Sequence, residues 1–330
     1  MPLVSFIVPI YNSMPYLEQC LESLRNQTIQ DIEIICVNDC SPDDSVLLVE
    51  KIMSIDKRVK LINHTINKRQ GGAWNSGVAM ATGYYLSFVD ADDWLEPDYC
   101  EVVLHDDADI LCAIYYYRGN KQCKNIDLEL YKQYNNDIRK YLLLKGMYFI
   151  TNFFKRSFLK KNNFEFLENN TYHDFITNLL YFYTDNIHIF DKPGYHYRID
   201  NVSLQRSMNQ KSFWGRLEVA KIEYGMYKGK NIYSKYNKEI DYHFYVLYYY
   251  NTLIRAFYGY SKLNWKIIKE VKDNVNIFLP NIRTNIYYSN IKKDYSLIMR
   301  LPIFLFEYMP RMVVTLDHAL YLIIRKIFHK

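Results

Sequence analysis

The sequence has few glycines and prolines, no long apolar run and no paired-cysteine motif. Eleven Gly and nine Pro among 330 residues exclude a collagen-like or linker-like chain. No run of 18 apolar residues occurs, which argues against a bilayer span. None of the six cysteines forms a C-x-x-C pair, and no histidine stands at zinc-finger spacing. We therefore expect a reduced, cytosolic protein without structural zinc, and no signal peptide, because residues 4–8 already have the pattern of a strand.

Apolar and aromatic residues are abundant. Apolar residues make up 49% of the chain and charged residues 23%, which is typical of a folded globular protein. The length predicts about two domains. The 33 tyrosines suit wet clefts and membrane interfaces as well as protein cores, because each combines an apolar ring with a polar hydroxyl.

Positive charge is concentrated in the C-terminal part. Residues 206–330 carry 21 Lys and Arg against 9 Asp and Glu, a net charge of +12, whereas residues 1–205 carry a net charge of −7. Two interpretations stay open: a solvated Lys-rich helical surface, or a site for an anionic partner such as a membrane or a nucleic acid. Residues 301–330 are apolar with a basic end, which fits either an in-plane amphipathic helix at a membrane or an ordinary packing helix.

Strand-like and helix-like segments alternate along the first 90 residues. Apolar, β-branched runs predict buried strands, and helical patterns separate them, so we expect βαβ units and an open parallel sheet, an α/β fold. Ligands of such sheets bind beyond the carboxyl ends of the strands, which directs attention to residues 9–12, 38–41 and 90–93. Further along we expect helices at 151–161 and 173–183, and a mostly helical region from 206 onward.

Asp90 and Asp92 carry the sharpest chemical signal. An i, i+2 pair leaving a strand points both carboxylates to one side, where they repel unless a cation or protons neutralise them. Hard oxygen ligands suit Mg²⁺ or Mn²⁺. The alternative is an acidic turn in which Asp92 and Asp93 cap the next helix.

Four segments, in order, resemble the family 2 glycosyltransferases with the GT-A fold. Residues 4–28 are similar to the opening strand and helix of that family, and residues 34–41 (IICVNDCS) to its VDDGS turn. Residues 69–77 (RQGGAWNSG) are similar to its GGARNxG segment, and residues 83–94 (GYYLSFVDADDW) to its GxYixFlDxDD metal motif. The resemblance implies a Rossmann-like GT-A catalytic domain over 1–205, followed by the helical region 206–330.

The resemblance implies which residues bind the donor nucleotide. Asp39 is similar to the family acid that bonds the uracil edge of a UDP-sugar, although a turn-forming role is the alternative. Pro9, Tyr11 and Asn12 stand where the family holds the base, with core packing as the alternative for Tyr11. The turn departs from the family at Cys40, which replaces Gly and suggests that no positive φ is needed there.

The resemblance also implies a metal site. Asp92 resembles the carboxylate bound directly to a Mg²⁺ or Mn²⁺ ion on the diphosphate, and Asp90 is expected at the ribose, a metal-bound water or the metal itself. The family usually has Arg where Trp74 stands, and Arg69 or Lys68 is a candidate for the missing charge.

The rest of the site is expected between residues 150 and 205. Asp174, in a segment similar to the family's xEDxxF motif, is implied as the general base, although by itself it suits a helix N-cap. Arg198 and Ser203, in a segment similar to YxYRxxxxS, are expected at the diphosphate, with a surface strand position as the alternative for Arg198. His196 is expected to pack locally.

The implied activity is an inverting transfer of a hexose or N-acetylhexosamine from a UDP-sugar to a hydroxyl of an oligosaccharide or lipid-linked glycan, in bacterial capsule or lipooligosaccharide synthesis. We expect the protein in the cytoplasm, peripheral on the inner membrane, with anionic lipid rather than nucleic acid as its surface partner. One alternative is transfer to a polyprenyl phosphate, whose anionic acceptor needs no base. Another is a basic nucleic-acid- or membrane-binding protein, which leaves the carboxylate turns unexplained.

Overall fold

The structure is a computed structural model that describes residues 1–170, 175–199, 210–229, 231–254, 265–297, 300 and 304. The chain divides into two compact units, residues 1–203 and 204–330. The domain boundary that we predict after residue 205 falls within 200–209, outside the described residues, and stays a prediction.

The first unit combines two sheets with short helices. Its strands are β1 (Val4–Ile10), β2 (Ile32–Asn38), β3 (Val59–Asn63), β4 (Tyr85–Phe88), β5 (Trp94–Leu95), β6 (Ile110–Ala113), β7 (Tyr115–Arg118), β8 (Lys121–Lys124), β9 (Phe153–Lys155), β10 (Ile187–Phe190) and β11 (Tyr195–Tyr197). Its α-helices are α1 (Met14–Arg25), α2 (Ser45–Ile55), α3 (Arg69–Met80), α4 (Leu128–Gln133), α5 (Ile138–Lys145) and α6 (Arg156–Lys161), with 3-10 turns at Tyr99–Val103, Phe149–Thr151 and Phe175–Phe182.

The larger sheet has the strand order β10-β6-β9-β4-β1-β2-β3. Strands β3, β2, β1 and β4 run parallel, as the alternating pattern predicts. The predicted helix at 151–161 is wrong over its first residues, because Phe153 and Phe154 lie in β9, which pairs antiparallel with both β4 and β6. Both phenylalanine rings are fully buried, so each side of this short strand contributes to the core. The smaller sheet has the order β5-β11-β7-β8.

Helices cover both faces of β1, and successive side chains of this strand point to opposite faces. Phe6 and Val8 pack with the buried side chains of α1 and α2, whereas Ile7 packs with those of α3. This is the two-residue period of a strand buried on both sides. Helix α3 approaches β1 so closely that a Cβ atom on Gly77 would lie 2.3 Å from Cγ2 of Ile7, so the position requires glycine. The close packing holds α3 against β1.

Glu33, near the amino end of β2, is a buried acid that ties three segments together. Its Oε1 accepts hydrogen bonds from the Ser5 hydroxyl (2.6 Å) and from the backbone N–H groups of Thr82 (2.6 Å) and Gly83 (3.1 Å). Lys60 Nζ lies 2.5 Å from Oε2. Burial by itself would raise the pKa of Glu33, but the bonds from Lys60, Ser5 and Thr82 outweigh it and lower this pKa to about 2.

We expect Glu33→Gln to lower the free energy of unfolding by ~3 kcal/mol at pH 7, because a pKa lowered to about 2 from 4.5 corresponds to stabilisation of this order. A lowered pKa in the folded state stabilises it above pH 4.5, and the contribution is lost as the pH falls from 4.5 to about 2. Urea unfolding at pH 7 and pH 3 measures both effects. Glu129→Gln, at a position 77% exposed, is the control and should change little. A Glu33→Gln penalty that stays constant down to pH 2.5 would contradict the assignment.

The second unit is helical, as expected. The elements among its described residues are α7 (Gln210–Lys228), α8 (Ile232–Phe244), a π-helical turn (Tyr245–Tyr250), a helix at Trp265–Phe278, a 3-10 turn at Ile282–Thr284 and a short helix at Asn290–Asp294. Phe244 stacks on Tyr224 (4.3 Å) and Tyr248 (4.9 Å), so part of the tyrosine excess forms core. Within the ranges that the structure describes, no helix has both the length and the hydropathy needed to cross a membrane. Apart from Arg300 and Phe304, the segment from 298 to 330 lies outside the described residues.

Candidate functional site

The carboxyl ends of β1, β2 and β4 meet at one edge of the larger sheet. Ile10 pairs in register with Asn38, and the Asp39 N–H donates to the Ile10 carbonyl at 3.0 Å. The N–H of Asn12 donates to Ser41 Oγ at 2.7 Å, which joins the loops after β1 and β2. Since β4 pairs with β1 in parallel, the residues that follow β4 start from the same edge. The sheet therefore brings the first three predicted loops together, as its topology requires.

Asp39 is a buried acid at this edge. Its Oδ1 accepts hydrogen bonds from the backbone N–H of Lys68 (2.7 Å) and from His64 Nδ1 (2.8 Å). Its backbone carbonyl accepts from Asn67 Nδ2 at 2.8 Å. Among the described residues no hydrogen bond reaches its Oδ2, so this oxygen can accept from a ligand. His64 is a functional candidate that sequence reasoning missed, because it belongs to none of the motifs.

The residues expected to contact the nucleotide base lie along this edge of the sheet. Pro9 is half-buried, and Tyr11 is 49% exposed, so the core-packing alternative for Tyr11 does not hold. Asn12 is exposed with a φ of 53°.

The expectation that the turn after β2 needs no positive φ is wrong. Cys40 has a φ of 60°, in the left-handed region that glycine favours. Its thiol donates to the His64 carbonyl at 3.2 Å, a contact that glycine cannot make. Arg69, at the start of α3, also has a left-handed φ, of 65°. Non-glycine residues held in this region often mark functional sites.

Three carboxylates follow β4. Oxygen atoms of Asp90, Asp92 and Asp93 lie within 4.8 Å of one another. Asp93 is buried, and its oxygens accept from the Arg198 backbone N–H (2.9 Å) and the Tyr195 hydroxyl (2.7 Å). Burial raises the pKa of Asp93 well above its usual value, and the charges of Asp90 and Asp92 raise it further. This concentration of negative charge favours a cation.

The donor set fits a hard divalent cation. Asp90 and Asp92 are half-buried and offer carboxylate oxygens from one side of the turn, as Mg²⁺ and Mn²⁺ prefer. Asp93 already uses both oxygens within the protein and holds the turn in place. The helix-capping alternative is wrong, because β5 (Trp94–Leu95) follows Asp93 directly and the next helical turn begins only at Tyr99.

Other side chains hold the acidic turn. Gln70 Nε2 donates to Asp90 Oδ1, and the Asp90 N–H donates to the Tyr195 hydroxyl at 3.2 Å. Sequence reasoning missed both Gln70 and Tyr195, although each lies within a quoted motif segment. Tyr195, more than 100 residues further along the chain, thus bonds to both Asp90 and Asp93.

Arg198 lies against the turn, half-buried. Its Nε donates to the Asp92 carbonyl at 2.6 Å, and its Nη2 donates to Gln19 Oε1. The guanidinium lies 4.8 Å from the ring of Tyr16 and 4.6 Å from that of Trp94. The arginine is therefore packed beside the acidic cluster and is more than a surface strand residue.

His196 packs locally, as expected. Its ring stacks on Trp94 at 4.8 Å and on Tyr117 at 4.4 Å, and its Nε2 lies 2.7 Å from Glu96 Oε1.

The position where the family usually has Arg lies in the core. Trp74 is 1% exposed and packs against Phe88 (5.2 Å) and Phe166 (4.9 Å). Arg69 is exposed at the start of α3, and within the described ranges its guanidinium contacts no acidic side chain. Lys68 Nζ lies 3.7 Å from Glu168 Oε1. Of the two replacement candidates, Arg69 is the one not engaged with a carboxylate.

Two predicted site residues, Asp174 and Ser203, fall outside the described residues. Their predicted roles, general base and diphosphate contact, stay predictions.

Comparisons with known proteins give a consistent result. The family model described as glycosyl transferase family 2 matches residues 5–162. EpsH of Bacillus subtilis (strain 168), whose name classes it as a glycosyltransferase, is 31% identical over 254 residues, which cover 73% of this chain and 73% of that protein. Chondroitin synthase of Escherichia coli is 38% identical over 128 residues, which cover 39% of this chain and 18% of the synthase.

The fold is similar to that of S. aureus TarS. Its residues 1–349 in complex with UDP-GlcNAc superpose with a TM-score of 0.57 and 19% identity, covering 87% of this chain and 93% of that one. The same segment in complex with UDP gives a TM-score of 0.61 and 18% identity, covering 100% and 91%. At this identity the likeness shows the fold alone.

Proposed function

The chain belongs to glycosyl transferase family 2, and from that membership we propose that it transfers a hexose or N-acetylhexosamine from a UDP-sugar to a hydroxyl of a glycan acceptor, with inversion. The observation that carries the proposal is the meeting of Asp39, Asp90 and Asp92 at one edge of the sheet. The solved complexes of TarS with UDP and UDP-GlcNAc support a UDP-linked donor. The likeness to a chondroitin synthase supports a role in polysaccharide synthesis.

The donor nucleotide is bound at its base and at its diphosphate. Asp39 accepts the N3–H of uracil on its Oδ2, and Pro9, Tyr11 and Asn12 lie beside the base. Asp92 and Asp90 would hold a divalent cation, Mg²⁺ or Mn²⁺, which would supply charge stabilisation to the departing diphosphate when bound. Arg69, Arg198 and Ser203 are the candidates for additional contacts with the diphosphate.

Asp174 accepts the proton of the acceptor hydroxyl as that oxygen attacks the anomeric carbon. The hydroxyl approaches from the face opposite the leaving UDP, so a single displacement inverts the anomeric configuration. The bond to the UDP oxygen breaks as the new glycosidic bond forms, and no covalent intermediate with the protein is needed.

A donor panel tests the proposal. The purified chain is incubated with Mn²⁺ and a series of UDP-hexoses and UDP-N-acetylhexosamines, with GDP-mannose and a CDP-sugar as controls, and release of the nucleoside diphosphate is measured. We expect UDP release from one or a few UDP-sugars, and binding of UDP by calorimetry. Absence of UDP binding together with turnover of a GDP- or CDP-sugar would overturn the donor assignment.

We also propose that the basic C-terminal region places the enzyme against anionic lipid on the cytoplasmic face of the inner membrane, near a lipid-linked acceptor. The net charge of +12 over 206–330 and the apolar, basic end at 301–330 support this. Deletion of 301–330 is expected to abolish flotation with vesicles that contain anionic lipid, because the segment supplies both apolar and positive groups. Vesicles of neutral lipid are the control. Flotation unchanged by the deletion, or tight RNA binding in a gel shift, would contradict the assignment.

A further inference from the structure

A hydrogen-bonded chain of three polar side chains runs from Asp39 through His64 to Ser76. Nδ1 of His64 is 2.8 Å from Asp39 Oδ1, and Nε2 of His64 is 2.8 Å from Ser76 Oγ. The side chains of His64 and Asp39 are 7% and 4% exposed, so water competes little for these bonds. The three residues come from the ends of β2 and β3 and from α3, and no motif of the sequence unites them.

The partners of His64 determine which ring nitrogen donates. A neutral imidazole has one donor and one acceptor nitrogen, and its partners select the tautomer. An ionised carboxylate only accepts, whereas the Ser76 hydroxyl can donate. All three groups are satisfied when Ser76 donates to Nε2 and Nδ1–H donates to Asp39.

This arrangement leaves one oxygen of Asp39 for a ligand. The Lys68 N–H and His64 both donate to Oδ1, which fixes the rotation of the carboxylate. Oδ2 is then held in one direction as an acceptor, since no hydrogen bond from the described residues reaches it. A ligand that covers Oδ2 without donating to it leaves this acceptor buried and unpaired, which is costly, so a ligand that supplies an N–H there is favoured over one that does not.

We propose that His64, oriented by Ser76, is a positioning residue through which Asp39 selects a uracil nucleotide over a cytosine nucleotide. Uracil presents an N3–H donor to Oδ2. The N3 of cytosine is instead an acceptor, so it and the carboxylate oxygen repel each other. The inference rests on the proposed function, in which Asp39 contacts the base of the donor. Without the His64 donor, Asp39 rotates more freely, and its preference for an N–H partner falls.

Calorimetric titration of the full chain with UDP and with CDP, both in Mn²⁺, tests the inference. His64→Ala is expected to raise the Kd of UDP about tenfold and that of CDP less than twofold. The KM for the UDP-sugar should rise accordingly, with kcat at saturating donor changed less than twofold. Ser76→Ala is expected to raise the Kd of UDP about threefold. His64→Asn should restore most of the affinity, because its amide nitrogen stands near the position of Nδ1.

His188→Ala is the matched control. His188 Nδ1 lies 3.0 Å from Asp106 Oδ1 in the same unit, but its side chain is 56% exposed and outside the site, so the Kd of UDP should not change. If His64→Ala fails to fold, as judged by thermal melting, Ser76→Ala carries the test. An unchanged preference for UDP over CDP in the folded variants would overturn the role of His64 and leave the proposed function standing. A wild-type protein that binds no UDP would overturn both.

Discussion

Asp92→Asn is expected to reduce kcat/KM for sugar transfer about 10³-fold, with the fold intact. Asp92 is half-buried beside Asp90 and Asp93, so in the proposed mechanism the loss of its charge weakens binding of the divalent cation that would offset charge on the leaving diphosphate. Initial rates of UDP release over a Mn²⁺ titration measure the loss, and excess Mn²⁺ should recover only part of it. Wild-type protein treated with EDTA should lose activity to a similar extent.

Asp44→Asn provides the matched control, since it makes the same chemical change at an exposed acid in the loop after β2. Asp44 precedes α2 without a side-chain capping bond, so neither rate nor stability should change appreciably. Full transfer by wild-type protein in EDTA would remove the metal role of Asp92. A large drop in the melting temperature of Asp92→Asn would instead assign it to the fold.

Asp174→Asn is expected to lower kcat about 10³-fold and to leave the Kd of UDP within twofold of wild type. A sugar hydroxyl is a poor nucleophile near neutral pH, and a general base contributes rate factors of about 10²–10⁴. Single-turnover transfer and UDP calorimetry separate the two effects. Asp191→Asn, at an exposed position of the same unit, is the control for the change of charge.

The same variant separates the two acceptor classes. A polyprenyl phosphate is already anionic, so an enzyme that uses it should keep most of its rate in Asp174→Asn. Equal losses of UDP binding and turnover would show that Asp174 supports the structure rather than the chemistry.

Much of the fold and part of the site followed from local patterns. The β-branched runs predict β1 to β4, and the strand ends then predict where Asp39, Asp90 and Asp92 lie. By contrast, nothing local predicts that Phe153 begins a strand. A three-residue segment with two phenylalanines and a lysine suits a helix equally well, and its place between β4 and β6 depends on the sheet already formed.

Local sequence patterns also do not predict the contacts that support the site. Tyr195 touches Asp93 across 102 residues, and His64 touches Asp39 across 25. Trp74 occupies a motif position where the family usually has arginine, yet its ring lies in the core. Each outcome depends on which side chains the packed helices and sheets bring together.

The sequence by itself determined the class of fold, the edge of the sheet that carries the site and the acids that approach it. Those properties depend on residue type and on short spacings, which a single segment of chain contains. The tertiary structure alone decided how the acids are held: which oxygen of Asp39 is engaged, which of the three acids after β4 is buried, and what packs on Arg198. These contacts join segments distant in sequence, and their geometry exists only once the sheet and its helices have packed.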